Sequence, residues 1–316
     1  MSLANAAAAN DYLQPPRKAL SKAGAGVGNH RWQMLALFAL AAYGCGAAQS
    51  SQMPAEERSS REVELAASLR EEGHSAAALN HLRRALELDP DNPRAHLLQG
   101  YMAGERGDFG LAERSVVRAI ARLKQKGQAT LAAEAQNLLG SLYLSQNKVK
   151  QAIVVFEESA HSPLNASPHL AFANLGWAYH LEGRRESALS ALQKSVEIQP
   201  GFCVGYYRIG RVHAQAQEWL KAEENLSLAL EVDNRCKAFF QEAWLERGLV
   251  RKALKRRTLA LGDLERCIEI SPRNILGKKC QVHLDALMQV SLIPASATSA
   301  HAHAPVARPA THRADP

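Results

Sequence analysis

The sequence predicts an all-α protein, a superhelical solenoid of about six helical hairpins closed by one C-terminal capping helix. Small, aromatic and alanine residues recur at a fixed interval of about 34 residues. The chain of 316 residues is 47% apolar and so can bury a large core, yet it exceeds the usual size of one compact domain. Stacked repeats escape that limit, because each unit needs only its neighbours. Aromatics are few, at 6%, as in alanine-rich helical proteins, and no strand pattern appears.

The clearest unit runs from Leu170 to Pro200, with Gly176, Tyr179, Gly183, Ala188, Leu192, Ser195 and Pro200 as its punctuation. That order of small, aromatic, small, alanine, bulky, small and proline resembles the tetratricopeptide repeat (TPR). Two antiparallel helices approach closely only where one presents a small side chain. Gly176 and Ala188 therefore mark the contact, and Tyr179 and Leu192 fill the hollows beside it. One hairpin cannot bury both faces, so copies must stack on it.

Residues 1–30 are rich in Ala, Gly and Asn and lack periodicity, which predicts no packed element. The uncharged run WQMLALFALAAY, residues 32–43, is shorter than the roughly 20 residues a bilayer-spanning helix needs. Bases before it and small residues after it suit the apolar core of a secretion signal. The order Ala42, Tyr43, Gly44, Cys45 resembles the lipobox of bacterial lipoproteins, which implies lipidation at Cys45 and removal of residues 1–44. The alternatives are an ordinary cleaved signal with an incidental cysteine, or an uncleaved amphipathic segment. Gly46 follows the cysteine, so the same resemblance implies the outer membrane, facing the periplasm.

Residues 45–58 then read as a polar tether and residues 59–290 as the repeat domain. Six repeats align at 59–92, 93–126, 133–166, 169–202, 203–236 and 241–274, with extra residues at 127–132, 167–168 and 237–240 expected in turns. Gly100, Gly140, Gly210 and Gly248 match Gly176 in place, and Val116, Phe156, Leu226 and Leu264 match Leu192. The last unit is the most degenerate, with Arg251 where an aromatic is expected. From Asn274 to Val290 one more helix should cap the stack through Leu276, Cys280, Leu284, Leu287 and Met288. Residues 291–316, rich in Ala, Pro, Ser and His, read as a disordered tail.

Composition and motifs narrow the function. The formal charge of +7 falls to +4 from Cys45 onward, 34 bases against 30 acids, and no nucleic-acid-binding signature accompanies it. No nucleophile motif, phosphate loop or paired carboxylate stands out, so an enzyme, a cofactor and a small-molecule substrate are not expected. A metal is not expected either, since His301 and His303 lack a third ligand. Cys203, Cys236, Cys267 and Cys280 allow three pairings. Place in the hairpins favours Cys203 with Cys236 and Cys267 with Cys280, while buried thiols at small-residue places are an equal alternative for the second pair. Arg251, Lys252, Lys255, Arg256 and Arg257 read as a solvated basic face, with an anionic partner as the alternative.

The remaining surface is the groove lined by the first helix of each hairpin. Its inward places hold Arg94, Leu97 and Tyr101; Asn137, Leu138 and Ser141; Leu170, Asn174, Trp177 and His180; and Tyr207, Arg208 and Arg211. Trp, Tyr and Arg dominate many protein interfaces, and Asn can clamp a peptide backbone. Each aromatic could instead pack against the next hairpin. As a set they predict a protein-binding groove.

A signal with a lipobox-like cysteine followed by six such hairpins resembles the type IV pilus pilotin lipoproteins over residues 45–290. The resemblance is most specific from Asn137 to Gly176, where NLLGSLYLSQNKVKQAIVVFEESAHSPLNASPHLAFANLG looks like that family's third repeat and its lengthened turn. It implies a lipid-anchored, outer-membrane factor that assists oligomerisation and membrane assembly of the secretin, the pore of the pilus, and so supports pili and twitching motility. Two rivals share the fold: a general scaffold of the cell envelope, and a cytosolic chaperone adaptor with a carboxylate clamp. For that clamp Asn174 and Arg208 fit, but Val204 stands where a lysine is wanted.

Overall fold

Helix formers fill the regular segments, and turns fall where capping residues and left-handed positions occur. The computed structural model describes residues 53–289. Cys45, the apolar run before it, the stretch 1–52 and the tail 291–316 lie outside the described residues. The chain divides into two units at Ser167 and Pro168.

The first unit contains three hairpins: α1 (Ala55–Glu71) with α2 (Ser75–Leu88), α3 (Pro93–Glu105) with α4 (Phe109–Gln125), and α5 (Ala129–Ser145) with α6 (Val149–Ala160). The second contains α7 (Pro168–Leu181) with α8 (Arg185–Ile198), α9 (Cys203–Gln215) with α10 (Trp219–Glu231), the short α11 (Asn234–Phe239), α12 (Gln241–Ala253) with α13 (Arg257–Ile270), and α14 (Ile275–Gln289). The described residues are helical throughout, without strands.

The hairpin contacts follow the repeat places. A Cβ on Gly176 would lie 2.6 Å from Leu192 Cγ and 2.9 Å from the Ala188 carbonyl, so only glycine lets α7 and α8 meet there. Ala188, Leu192, Ala222, Leu226, Ala260 and Leu264 are all fully buried in the seams. The fifteenth place of each repeat is left-handed, with φ near +80° at Gly73, Gly107 and Gly183. Asn147, Gln217 and Lys255 hold the same conformation at φ of 58–60° although they carry a Cβ.

Polar side chains close the far turns. Ser59 Oγ donates to the Ala85 carbonyl at 2.8 Å and accepts from Asn92 Nδ2, while Asn92 Oδ1 caps α3 through the Arg94 and Ala95 amides. Ser159 Oγ repeats the bond to the Ala133 carbonyl, and Ser195 Oγ to the His169 carbonyl. In the last hairpin Gln241 Nε2 takes this role, donating to the Cys267 carbonyl at 2.7 Å.

Several boundaries differ from the sequence reading. α1 begins at Ala55, inside the segment read as tether, because Pro54 opens it and the Glu56 and Glu57 carboxylates suit its first turn. The extra residues at 127–132 form little loop; they lengthen α5, whose alanines favour helix and whose Ala132 and Ala135 pack with Leu123. The insertion at 237–240 belongs to α11, so Cys236 sits on that short helix and not on α10. Met288 is 47% exposed, whereas Cys280, Leu284 and Leu287 of α14 are buried against the last hairpin.

The structure joins Cys203 to Cys236, with a Cα separation of 6.4 Å, and Cys267 to Cys280, at 6.3 Å. The first bond ties the start of α9 to α11. The second ties α13 to α14, holding the cap on the last hairpin.

Candidate protein-binding groove

First helices of successive hairpins lie side by side, so residues at their second, fifth, sixth, ninth and twelfth places share one face. In the second unit this face brings the expected residues of α7 and α9 together. The Trp177 and His180 rings lie 4.8 Å apart. The Arg211 guanidinium lies 5.0 Å from the Trp177 ring and 5.9 Å from Tyr207, within cation–π range. Arg208 Nη1 donates to Asn174 Oδ1 at 2.8 Å, 5.9 Å from the Trp177 ring. Burial pushes the His180 imidazole below its usual range, with the Arg211 charge adding to it.

The sequence reading omitted the α12 side of this face. Glu242 and Glu246 occupy the second and sixth places of the last repeat, so the positional rule applied once more would have found them. Arg211 Nε reaches Glu246 Oε1 at 3.7 Å. Phe240, just before α12, packs its ring 4.8 Å from that of Tyr207 at a tilt of 54°, and burial pushes the Tyr207 phenol well up. Tyr207 therefore packs toward the next hairpin on one side while facing Arg211 on the other.

Arg208 is a correction. It was expected on an exposed surface and is only 8% exposed, because α9 is flanked by first helices on both sides. Its burial lowers the guanidinium to about 10, and the neighbouring Arg211 charge acts in the same direction, so it remains a cation at neutral pH.

In the first unit the face is plainer. Arg94 is exposed. Tyr101 lies under Arg70, whose guanidinium is 4.2 Å from the ring and pairs with Glu105 at 3.6 Å. Arg70, at the twelfth place of the first repeat, was also omitted by the sequence reading. Asn137, Leu138 and Ser141 are half-buried on α5, and the Ser141 hydroxyl donates to the Asn137 carbonyl of its own helix. Leu97 packs against Leu123, Ala132 and Ala135, so it is an inter-hairpin residue and not a groove residue.

The basic cluster is mostly solvated, as read, with Lys252, Lys255 and Arg256 exposed, but Arg251 is drawn into an ion network. Arg251 pairs with Glu223 at 2.9 Å and with Asp263 at 2.9 Å, Arg247 pairs with Asp263 at 2.8 Å, and Arg256 pairs with Glu223. Val204, where a carboxylate clamp would need lysine, is buried at 3% exposure.

The described helices include none long and apolar enough to cross a membrane, and the described residues contain no cluster of three potential metal ligands. Models described as tetratricopeptide repeat match residues 63–128, and also 133–160 and 170–202. No curated protein matches the chain. Among solved structures, PilF of Pseudomonas aeruginosa is 17% identical with a TM-score of 0.59, covering 73% of this chain and 100% of that one. PilW, described as a widely conserved type IV pilus biogenesis factor, is 20% identical with a TM-score of 0.60, over 71% of this chain and 98% of that one. The APC/C hetero-tetramer Cut9-Hcn1 gives 16% and 0.59, over 75% of this chain and 44% of that one. At these identities the likeness is one of fold, and together with the seams built on Gly176, Ala188 and Leu192 it shows a helical solenoid, with tetratricopeptide repeats over the matched residues.

Proposed function

We propose that this protein is a binding scaffold and not an enzyme: an outer-membrane lipoprotein, anchored at Cys45 and facing the periplasm, that holds the type IV pilus secretin and promotes its oligomerisation. The observation that carries the binding half is the cluster of Trp177, Tyr207 and Arg211 on the groove face, residue types that concentrate binding energy. Support for the pilus half comes from the pilotin-like sequence between Asn137 and Gly176 and from a fold shared with PilF and PilW. A lipid anchor would raise the effective concentration of groove and client at one membrane without any added contact.

The test is the SDS-resistant secretin multimer in outer membranes of cells lacking this protein, with secretin monomer as the control. Loss of multimer with monomer retained is expected. Unchanged multimer would overturn the secretin assignment and favour a general envelope scaffold. A Cys45→Ser protein that restores multimers at equal protein level would overturn the anchoring half alone.

A further inference from the structure

The cap departs from what the end of a solenoid requires. Terminal units keep their outer face polar, because no further repeat covers it. α14 buries Cys280, Leu284 and Leu287 on one side against the last hairpin. On its other side Ile275 is 86% and Val282 65% exposed, the two most exposed large apolar side chains among the described residues. They stand seven residues apart, two helical turns, so they share one stripe. Met288 is 47% exposed at the far end of the same helix. Exposed apolar residues scattered singly need no explanation, but two β-branched ones in heptad spacing form the seam of a helix that meets another helix.

The charges beside the seam identify that other helix. Lys278 and Asp285 are also seven residues apart, so both lie on one flank of the stripe. Neither forms an ion pair among the described residues; Asp285 accepts from Gln281 Nε2 of its own helix at 2.8 Å. A second α14 laid antiparallel, about a twofold axis beside Gln281 and Val282, would set each Lys278 opposite the other copy's Asp285, because the two positions are equally far from that axis. The same axis brings the two Val282 side chains together and sets Ile275 of each copy toward Met288 of the other. Such a contact must be self-complementary, and this stripe is. A parallel pair would instead face lysine with lysine and aspartate with aspartate.

We propose that the outer face of α14 docks on α14 of a second copy of this chain, antiparallel, through Val282 and two reciprocal Lys278–Asp285 pairs. The helix of 15 residues is about 22 Å long, and a contact through one helix alone falls short of the roughly 1,600 Å² of a standard interface. The dimer is therefore weak and concentration-dependent. It uses a surface apart from the groove, so it does not depend on which protein the groove holds.

The test places cysteine at Val282 in the full chain and traps neighbouring copies with a short bismaleimide, read as dimer on a denaturing gel. Leu220→Cys, on α10 and also well exposed at 64%, is the control. Val282→Cys should give a dimer that increases with protein concentration, and Leu220→Cys should not. Within the Val282→Cys protein, Lys278→Asp alone or Asp285→Lys alone turns two attractions into two repulsions and should cut the trapped dimer about tenfold. Both exchanges together re-form the pairs with their signs reversed and should restore the dimer. Lys278 is exposed and Asp285 half-exposed, so these exchanges leave the fold in place, which helical circular dichroism of each variant checks. Dimer from Val282→Cys no greater than from Leu220→Cys up to millimolar concentration would overturn the proposal and leave the face to another part of the chain or another protein. Failure of the double exchange to restore the dimer would overturn it too.

Discussion

Arg247 and Asp263 form a two-pronged ion pair across the last hairpin: Nε donates to Oδ2 at 3.0 Å and Nη2 to Oδ1 at 2.8 Å. Both side chains are almost fully buried, 8% and 3% exposed. Asp263 also accepts from Arg251 at 2.9 Å, and Arg251 continues to Glu223, so one carboxylate anchors a chain of four charges linking α10, α12 and α13. Asp263→Ala strands Arg247 in the interior and should lower stability by about 3–5 kcal/mol. Glu87→Ala, which removes the exposed Arg83–Glu87 pair, should change it by about 0.5 kcal/mol or less. Urea unfolding midpoints of the two variants check the contrast, and equal midpoints would remove the network from the account of stability.

The seam at Gly176 makes a steric prediction. The added methyl of Gly176→Ala meets the Leu192 side chain and the Ala188 carbonyl, and backbone cannot yield as a side-chain tip can. A loss of about 1–3 kcal/mol is expected. Gly262→Ala, whose Cβ has open space around it, serves as the control and should stabilise its helix slightly. A destabilised Gly262→Ala with an unchanged Gly176→Ala would contradict the packing described.

At the fifteenth place, Gln217 and Lys255 adopt a backbone conformation that glycine adopts freely. The left-handed conformation costs a residue with a Cβ about 1–2 kcal/mol, and glycine gives back part of this through its freer unfolded chain. Gln217→Gly and Lys255→Gly should each raise stability by about 0.5–1 kcal/mol. Thermal unfolding reads the shift, and a fall in the midpoint of both would refute the strain argument.

Replacing Cys267 and Cys280 together by alanine should lower stability by about 2–4 kcal/mol, because their bond closes a chain segment of 13 residues and fixes the cap α14 on α13. A maleimide reagent applied in denaturant should leave Cys203, Cys236, Cys267 and Cys280 unmodified until a reductant is added. Labelling of all four without reduction would show that the bonds do not form in the cell of origin.

Glu218 governs part of the acid response. Hydrogen bonds from Arg185 and His213 hold its carboxyl down at about 2, against an ordinary 4.5. Its folded value is depressed, so its contribution is complete above about pH 4.5 and is lost as pH falls toward 2. Glu218→Gln should flatten the dependence of stability on pH in that window. Unfolding curves from pH 2 to 6 check this, and an unaltered slope would mean that the bonds to Arg185 and His213 do not form in solution.

The repeat period, the seams and the capping helix were legible in the sequence because each depends on residues within one hairpin. Small residues at the eighth and twentieth places are demanded by backbones only a few ångströms apart, whatever lies further along the chain. The same local logic placed Asn174, Trp177, His180, Tyr207 and Arg211 on one face. The left-handed turn at the fifteenth place, into which Gln217 and Lys255 are compelled, came only from the structure.

Only the tertiary structure decided which charges meet. Glu223 and Arg256 are 33 residues apart, and Arg208 and Asn174 are 34 apart. Periodicity states that a residue lies on the inner or outer face, but not which side chain of the next hairpin stands opposite. So Arg251, one of a run of bases at 251–257, became part of a buried ion network, and Arg208 became a buried cation without a carboxylate among the described residues. The reason is physical: apolar packing follows a short-range pattern that local sequence encodes, whereas electrostatic partnership depends on distances set only when the hairpins have stacked.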